Sequence, residues 1–161
     1  KFKINVIRGH HTDVISRYVK VAKTMLPNDI IIRATADNPL PDGSFVEEMV
    51  KIFKNLQRNY MCTHNKYFKL PYGLAIQLFK SKDLIRISKK KLTKFDKEHV
   101  IVGLAKDKIN TKLKGNILKY KQFYTDKKLS IDTLQDYIRV EKLFRNCKQP
   151  IKIKWQKIIK R

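Results

Sequence analysis

The strongest constraint on the fold is a β-branched run in the first third of the chain. Residues 29–34 have the sequence DIIIRA. Consecutive isoleucines that do not alternate with polar residues are typical of a strand covered on both faces, as in a parallel sheet. Such a strand needs a helical layer on each side, so the run favours an α/β fold.

Helical patterns lie on both sides of this run. Apolar residues recur at helical spacing over residues 14–25, starting just after Asp13, and Pro27 ends the pattern. Beyond the strand, Ser44 and Glu47 form the S-x-x-E pattern of a capping box, which predicts that a second helix starts at Ser44. The order helix, strand and helix is therefore predicted around this run.

The remaining segments continue this alternation. Further strands are predicted at Phe2–Ile7, Asn59–Thr63, Leu74–Phe79, Asn116–Phe123 and Lys128–Ile131. Further helices are predicted from Ser81 to about Leu92, over Asp96–Ala105, and after Thr133 with Asp136. We expect a three-layer α/β sandwich with a mixed, mostly parallel sheet over residues 1–146. Residues 147–161 form a basic tail whose alternation fits an edge strand, an amphipathic arm or a frayed end.

Composition narrows the classes of function. The net charge is +23, from 37 basic and 14 acidic residues, which permits binding of nucleic acid, anionic lipid or phosphorylated ligands. A general lysine bias explains the charge as well, and no recognition motif accompanies it, so nucleic acid is not the expected partner. No run approaches about 18 apolar residues, so no membrane span is expected. Cys62 and Cys147 match no disulfide or zinc spacing, as is usual in a reducing cytoplasm.

Two carboxylates stand where chemistry is expected in such a sheet. Asp37 follows the strand at residues 30–34, and Asp132 follows the predicted strand that ends at Ile131. Ligands gather beyond the carboxyl ends of strands in open α/β sheets, and a pair of carboxylates suits Mg²⁺ bound together with substrate phosphates. Asp37 is also a normal turn residue, and Asp132 a normal residue beside a helix cap. Both interpretations stay open for each residue.

Other candidates carry less information. Tyr72 and Gly73 precede a predicted strand, where they line a ligand or simply make a tight turn. His99 lies in a predicted helix, where it contacts either the core or a substrate. With only five glycines, the chain contains neither a Walker loop nor a dinucleotide fingerprint.

Five motifs, in order, resemble those of the cytidylyltransferases that activate acidic sugars, including the spore-coat polysaccharide branch. The segment 8–18 resembles RG…DVL.RY, and IIIRATADNPLPD resembles IVRITGDNPLID. LPYGLAIQLF resembles PKGLDVEVF, KEHV resembles REHV, and KLSIDTLQDYIRV resembles LRLTVDTPEDLEL. The likeness runs from about Arg8 to Phe144.

This resemblance implies a Rossmann-like domain of the nucleotide-diphospho-sugar transferase type. A sugar hydroxyl would attack the α-phosphate of CTP and release pyrophosphate. Asp37 and Asp132 would be the catalytic Mg²⁺ ligands, and such enzymes commonly form homodimers. The substrate-binding residues would be Arg33, Asn38, Tyr72, Gly73 and His99.

The chain departs from the family pattern at three places, one of which is Ala36 in place of Gly together with Leu134-Gln135 in place of Pro-Glu. The family's basic Gly-Ser loop is not found after Lys1, so we expect an N-terminally truncated domain, its C-terminal two-thirds, inactive by itself. Ala75 and Gln77 replace the acidic residues of GLDVE. The missing loop, Ala75 and Gln77 leave the alternative of a non-catalytic relative that acts as a scaffold or partner subunit. The net charge of +23 leaves a further alternative, a basic nucleic-acid-binding domain.

Overall fold

A computed structural model describes residues 3–56, 59–63, 70–100 and 128–160, apart from the side chain of Ile151. The strands are β1 Ile30–Ala34, β2 Tyr60–Cys62 and β3 Ile76–Lys80. The helices are α1 Val14–Ala22, α2 Gly43–Asn55, α3 Ser81–Ser88, α4 Lys94–His99, α5 Leu134–Phe144 and α6 Trp155–Ile159, with a 3₁₀ turn at Pro150–Lys152. The predicted strand Asn116–Phe123 lies outside the described residues. The helix predicted over Asp96–Ala105 begins two residues earlier and ends at His99, since Val100 has a φ of +59°, and residues 101–105 lie outside the described residues.

The described strands form one sheet in the order β1-β3-β2. Strand β3 is therefore central, and the chain passes through α2 and β2 before it returns beside β1. Ile76, Leu78 and Phe79 of β3 are fully buried, as expected for a central strand. The predicted strands at 59–63 and 74–79 are confirmed to within two residues.

The first predicted strand is wrong over the part of it that the structure describes. Residues 3–10 have no regular structure, and Ile4 and Val6 are 75% and 73% exposed. Alternating apolar residues form a strand only where a neighbouring strand supplies hydrogen bonds. None of the described strands pairs with this segment.

Two further expectations about strands need correction. Ile31 is buried but Ile32 is 37% exposed, so β1 is not fully covered on both faces. Residues 128–131 do not form a strand, because Lys128 makes only an isolated parallel bridge to Tyr72. A run of apolar residues predicts burial in general, whereas coverage of each face depends on what packs there.

The cap of α2 lies two residues earlier than predicted. Asp42 is the N-cap, and its Oδ1 accepts a hydrogen bond from the Phe45 N–H at 2.8 Å. Ser44 lies inside the first turn and donates its hydroxyl to Asp42 Oδ1 at 2.7 Å. Asp and Ser are both good N-caps, so the spacing to Glu47 alone selected the wrong one.

The chain divides into two compact units. The first comprises residues 1–31 and 79–110, and the second comprises residues 32–78 and 111–161. In the first unit α1 packs against α3 and α4. Ile15 and Ala22 of α1 and Leu84 and Ile87 of α3 are buried there. In the second unit the buried side chains of α2 are Phe45, Met49, Ile52 and Phe53.

The basic tail is helical and packs within the second unit. Trp155 is 1% exposed, and its ring meets the ring of Phe45 edge-on at 6.0 Å. The backbone N–H of Trp155 donates to Asp42 Oδ2 at 2.9 Å. Burial raises the pKa of Asp42, but hydrogen bonds from Ser44, Phe45 and Trp155 outweigh burial and hold that pKa below its ordinary value. The edge-strand and frayed-end interpretations of the tail are therefore wrong.

None of the helices in the described ranges has the length and hydropathy that a bilayer-spanning helix requires.

Candidate functional site

A cavity of about 140 Å³ lies in the second unit. It is bounded mainly by the loop after β1, the loop before β3 and the segment that leads into α5, and Thr63 after β2 and Gln77 of β3 complete the lining. Most of the predicted site residues line it together, namely Asp37, Asn38, Tyr72, Gly73 and Asp132. Ligand pockets usually measure about 300–1,000 Å³, so the described walls enclose room for part of a ligand, such as one phosphate or sugar group.

The loop after β1 is held by Asn38. Its backbone N–H donates to the Thr35 carbonyl at 3.0 Å, which closes a turn. Its side-chain nitrogen donates to Thr35 Oγ1 at 2.6 Å and to Asp37 Oδ1 at 3.1 Å. Within the described part of the chain, Asp37 Oδ2 has no hydrogen-bond partner. Asp37 is thus both a turn residue and a carboxylate with one oxygen available to a ligand.

Backbone hydrogen bonds bring the second acidic segment to the same cavity. The Leu129 N–H donates to the Tyr72 carbonyl at 2.9 Å, and the Ile131 N–H donates to the Asp37 carbonyl at 2.8 Å. These bonds join the loop that carries Asp37 to the segment that carries Asp132. The sequence-based expectation that the two carboxylates share a crevice agrees with this arrangement.

Gly73 makes this approach possible. Its φ is +110°, a conformation that residues with a side chain rarely adopt. A Cβ at Gly73 would lie 2.5 Å from the Leu129 carbonyl carbon and 2.9 Å from the Ser130 nitrogen. The absent side chain lets residues 129–130 lie directly against the loop before β3.

Only one carboxylate oxygen of Asp132 has hydrogen-bond partners among the described residues. Its Oδ2 accepts from Lys128 Nζ at 2.6 Å and from the Ser130 hydroxyl at 3.1 Å. The hydrogen bond from Lys128, followed by the one from Ser130, holds the pKa of Asp132 below its ordinary value. The other oxygen, Oδ1, has no polar partner among the described residues, and the side chain is 49% exposed.

Asp136 supports this segment, a role that sequence reasoning missed. It is 4% exposed and accepts from the N–H groups of Asp132 and Thr133, both at 3.1 Å. It also accepts from Lys128 Nζ at 2.9 Å and from Arg139 at 2.6 Å. The Lys128 bond, foremost among the causes, holds the pKa of Asp136 well below its usual range. The Thr133-to-Asp136 capping pattern was visible in the sequence, whereas the contact with Lys128 was not.

Arg33 and His99 lie elsewhere. Arg33 Nη1 donates to Gln77 Oε1 at 2.8 Å, so its described contact is with a cavity-lining amide and not with Asp37. His99 ends α4 in the first unit, where its ring packs edge-on against Phe95 at 4.1 Å. His99 is not among the residues that line the cavity.

The cavity offers oxygen donors for a metal. In the described ranges, no group of three or more His, Cys, Asp or Glu side chains is placed to hold a metal ion. Asp37 and Asp132 each leave one carboxylate oxygen without a polar partner there. Mg²⁺ is usually bound by one or two carboxylates with water and substrate phosphates completing its shell. The donor set therefore fits Mg²⁺ that is bound together with a phosphorylated ligand.

Comparison with known proteins identifies the family of the chain. The family described as Cytidylyltransferase matches residues 1–157. The chain is 28% identical over 153 residues to an uncharacterized protein of Methanocaldococcus jannaschii. It is 26% identical over 143 residues to the spore coat polysaccharide biosynthesis protein SpsF of Bacillus subtilis. Each alignment covers 88% of this chain but only 57% and 58% of the two relatives, so the chain spans somewhat more than half of their length.

A solved structure shows the same fold. It is a cytidylyltransferase from Leptospira borgpetersenii, with a TM-score of 0.74 and 22% sequence identity. The superposition covers 95% of this chain and 63% of that one. The predicted Rossmann-like α/β fold is confirmed by this likeness.

Proposed function

Since the chain belongs to the cytidylyltransferase family, as its motifs predicted, we propose that it activates a sugar by transferring CMP from CTP. The observation that carries the proposal is the bond between the Ile131 N–H and the Asp37 carbonyl, because it sets Asp37 and Asp132 at one cavity. A role in surface polysaccharide or glycan synthesis is supported by the similarity to SpsF. A homodimer and a cytoplasmic location remain predictions.

The reaction assigns a role to each carboxylate. A sugar hydroxyl oxygen bonds to the α-phosphorus, the bond from that phosphorus to the β-phosphate oxygen breaks, and the hydroxyl loses its proton as pyrophosphate leaves. Mg²⁺, when bound, supplies positive charge to the phosphate oxygens. Asp37 Oδ2 and Asp132 Oδ1 are the atoms that would hold it, since both lack other polar partners in the described structure. Asn38 and Ser130 keep these carboxylates oriented.

Gln77 is the side chain we propose to contact the sugar. Arg33 carries only donors, so it must meet the amide oxygen of Gln77. The amide nitrogen is then left to donate to an oxygen acceptor of the ligand in the cavity that Gln77 lines. Arg33 thus acts as a positioning residue, Asn38, Tyr72 and Gly73 complete the wall, and no contact supports a substrate role for His99.

The test replaces each carboxylate in the full-length protein. We expect Asp37→Ala and Asp132→Ala each to lower Mg²⁺-dependent release of pyrophosphate from CTP by about 100-fold or more, because charge stabilisation at the phosphates is lost. Glu47→Ala is the matched control. This exposed carboxylate pairs with Lys51 on α2 at 2.8 Å and does not line the cavity. Unchanged pyrophosphate release in both aspartate variants would overturn the proposal.

The second candidate is a non-catalytic relative that acts as a scaffold or partner subunit. It is favoured by Ala75 and Gln77, which give the cavity no carboxylate on the β3 side. In that case the protein would bind CTP with Mg²⁺ in a titration and release no pyrophosphate, with any sugar tested. Turnover that depends on Asp37 and Asp132 would exclude it.

A further inference from the structure

Lys128 is shared between two carboxylates, only one of which is a proposed metal ligand. Its Nζ lies 2.6 Å from Asp132 Oδ2 and 2.9 Å from Asp136 Oδ2. The lysine side chain is 42% exposed and the Asp132 side chain is 49% exposed, whereas that of Asp136 is 6% exposed. The ammonium thus bridges a buried carboxylate and a carboxylate that faces the cavity.

The position of Lys128 between Asp132 and Asp136 weakens the attraction of these carboxylates for a second cation. Asp132 and Asp136 carry two negative charges, and Lys128 and Arg139 balance them through direct ion pairs. A divalent cation at Asp132 would lie a few ångströms from the Lys128 ammonium, and like charges at such distances repel even in a high dielectric. Lys128 holds Oδ2 and the proposed ligand atom is Oδ1, so the cation competes with Lys128 for the negative charge of Asp132 and not for one oxygen.

Lys128 keeps a partner when it gives up Asp132. Asp136 is fixed by the Thr133 N–H at 3.1 Å and by Arg139 at 2.6 Å, so its carboxylate stays in place. The lysine would remain on Asp136 and would not be left without a counter-ion. Moving off Asp132 therefore avoids the cost of leaving a charge unpaired.

We propose that Lys128 is a displaceable counter-ion of Asp132, which it pairs until a divalent cation enters with the nucleotide. The inference rests on the proposed function, because it requires Asp132 to be a metal ligand. The triphosphate brings several negative charges that offset the repulsion by Lys128. The nucleotide-free site therefore binds divalent cations weakly, and binding strengthens when CTP is present.

The test measures Mn²⁺ binding to the full-length protein by electron paramagnetic resonance, with and without CTP. We expect Lys128→Met to bind Mn²⁺ about 3- to 10-fold more tightly than the wild type in the absence of CTP, as removal of one nearby charge predicts. Lys128→Arg keeps the charge and should stay within about twofold of the wild type. Lys51→Met is the matched control, since this lysine pairs with Glu47 on the exposed face of α2.

The outcomes separate this inference from the proposed function. Unchanged or weaker Mn²⁺ binding by both Lys128→Met and Lys128→Gln, with melting temperatures near the wild type, would overturn the counter-ion role. The counter-ion role would also be overturned if neither of these Lys128 variants binds Mn²⁺ in the absence of CTP. Asp132→Asn should lose Mn²⁺ binding whatever residue stands at 128. If it binds Mn²⁺ as the wild type does, the metal assignment in the proposed function is wrong instead.

Discussion

At the scale of single residues, small geometric requirements shape the cavity. Asn38 joins its neighbour Asp37 to Thr35 by hydrogen bonds from one amide nitrogen. Arg33 donates to the amide oxygen of Gln77 and so fixes the orientation of that amide. Gly73 leaves the space into which the Leu129 backbone fits. Each of these residues thus fixes the position of another residue in or next to the cavity wall.

Gly73 gives the clearest prediction at this scale. Gly73→Ala should destabilise the fold by about 1–3 kcal/mol, because the new Cβ meets backbone at 2.5 Å and the +110° φ is unfavourable. It should also weaken CTP binding, because residues 129–132 must move. Urea unfolding and CTP titration measure the two effects.

Gly43→Ala is the control for that experiment. Gly43 begins α2, and a Cβ there meets nothing within 4 Å. Alanine in a helix is favoured over glycine by up to about 1 kcal/mol, so this variant should be as stable as the wild type or slightly more so. Equal losses of stability in both variants would contradict the assigned role of Gly73.

At the scale of elements, the start of α5 sets the position of the second acidic segment. Thr133 and Asp136 form a full capping box, in which each side chain accepts a hydrogen bond from the backbone N–H of the other residue. Asp136 also accepts hydrogen bonds from the Asp132 N–H and from the Lys128 ammonium. The helix cap and the cavity wall are therefore one hydrogen-bonded structure.

The pKa of Asp136 makes this structure sensitive to pH. Its folded pKa is lowered, chiefly by Lys128, so its ion pairs stabilise the fold above the unfolded-state pKa of about 3.9. That stabilisation is lost as the pH falls through the lower, folded-state pKa. Asp136→Asn should therefore melt below the wild type at pH 7, and the difference should shrink at pH 3. Thermal melts at the two pH values measure it.

Glu141→Gln is the control in the same helix. Glu141 pairs with Arg145 at 2.8 Å on a more exposed surface, where ion pairs contribute little. We expect its melting temperature to follow the wild type at both pH values. A difference for Asp136→Asn that is as large at pH 3 as at pH 7 would show that its ion pairs are not responsible.

At the scale of the whole molecule, charge and core have separate consequences. Each unit has its own buried apolar residues, whereas the net charge of +23 belongs to the chain as a whole. Charge of this kind affects association with polyanions and not the fold. Binding of nucleic acid must therefore be distinguished from binding of nucleotide.

The dependence on salt concentration distinguishes binding of nucleic acid from binding of nucleotide. We expect any binding to random-sequence duplex DNA to fall by about 1,000-fold between about 50 and about 200 mM salt, because it depends on the release of counter-ions. The variant with both Asp37→Ala and Asp132→Ala should bind duplex as the wild type does and lose Mg²⁺-dependent CTP binding. Fluorescence anisotropy with labelled duplex and labelled nucleotide measures both. Sequence-specific binding that persists at high salt would instead support the nucleic-acid alternative.

Several features followed from the sequence alone because they depend on residues close together in the chain. Helical spacing placed α1, and the Thr133-to-Asp136 pattern placed the start of α5. The order of short motifs identified the family. Asp37 and Asp132 were predicted to share a crevice because each follows a predicted strand, and both line the cavity although residues 128–131 do not form a strand. The segment at residues 3–7 was mispredicted, because alternation cannot show whether a pairing strand is present.

Only the tertiary structure decided which distant residues meet. The backbone N–H of Trp155 donates a hydrogen bond to Asp42, 113 positions away, and Arg33 donates one to Gln77, 44 positions away. Lys128 lies between Asp132 and Asp136 because the backbone of residues 128–132 is bonded to the two loops of the cavity. Local patterns specify hydrogen bonds and apolar faces within a few residues. Contacts between distant residues depend on how the faces of the elements pack, and no spacing in the sequence encodes that packing.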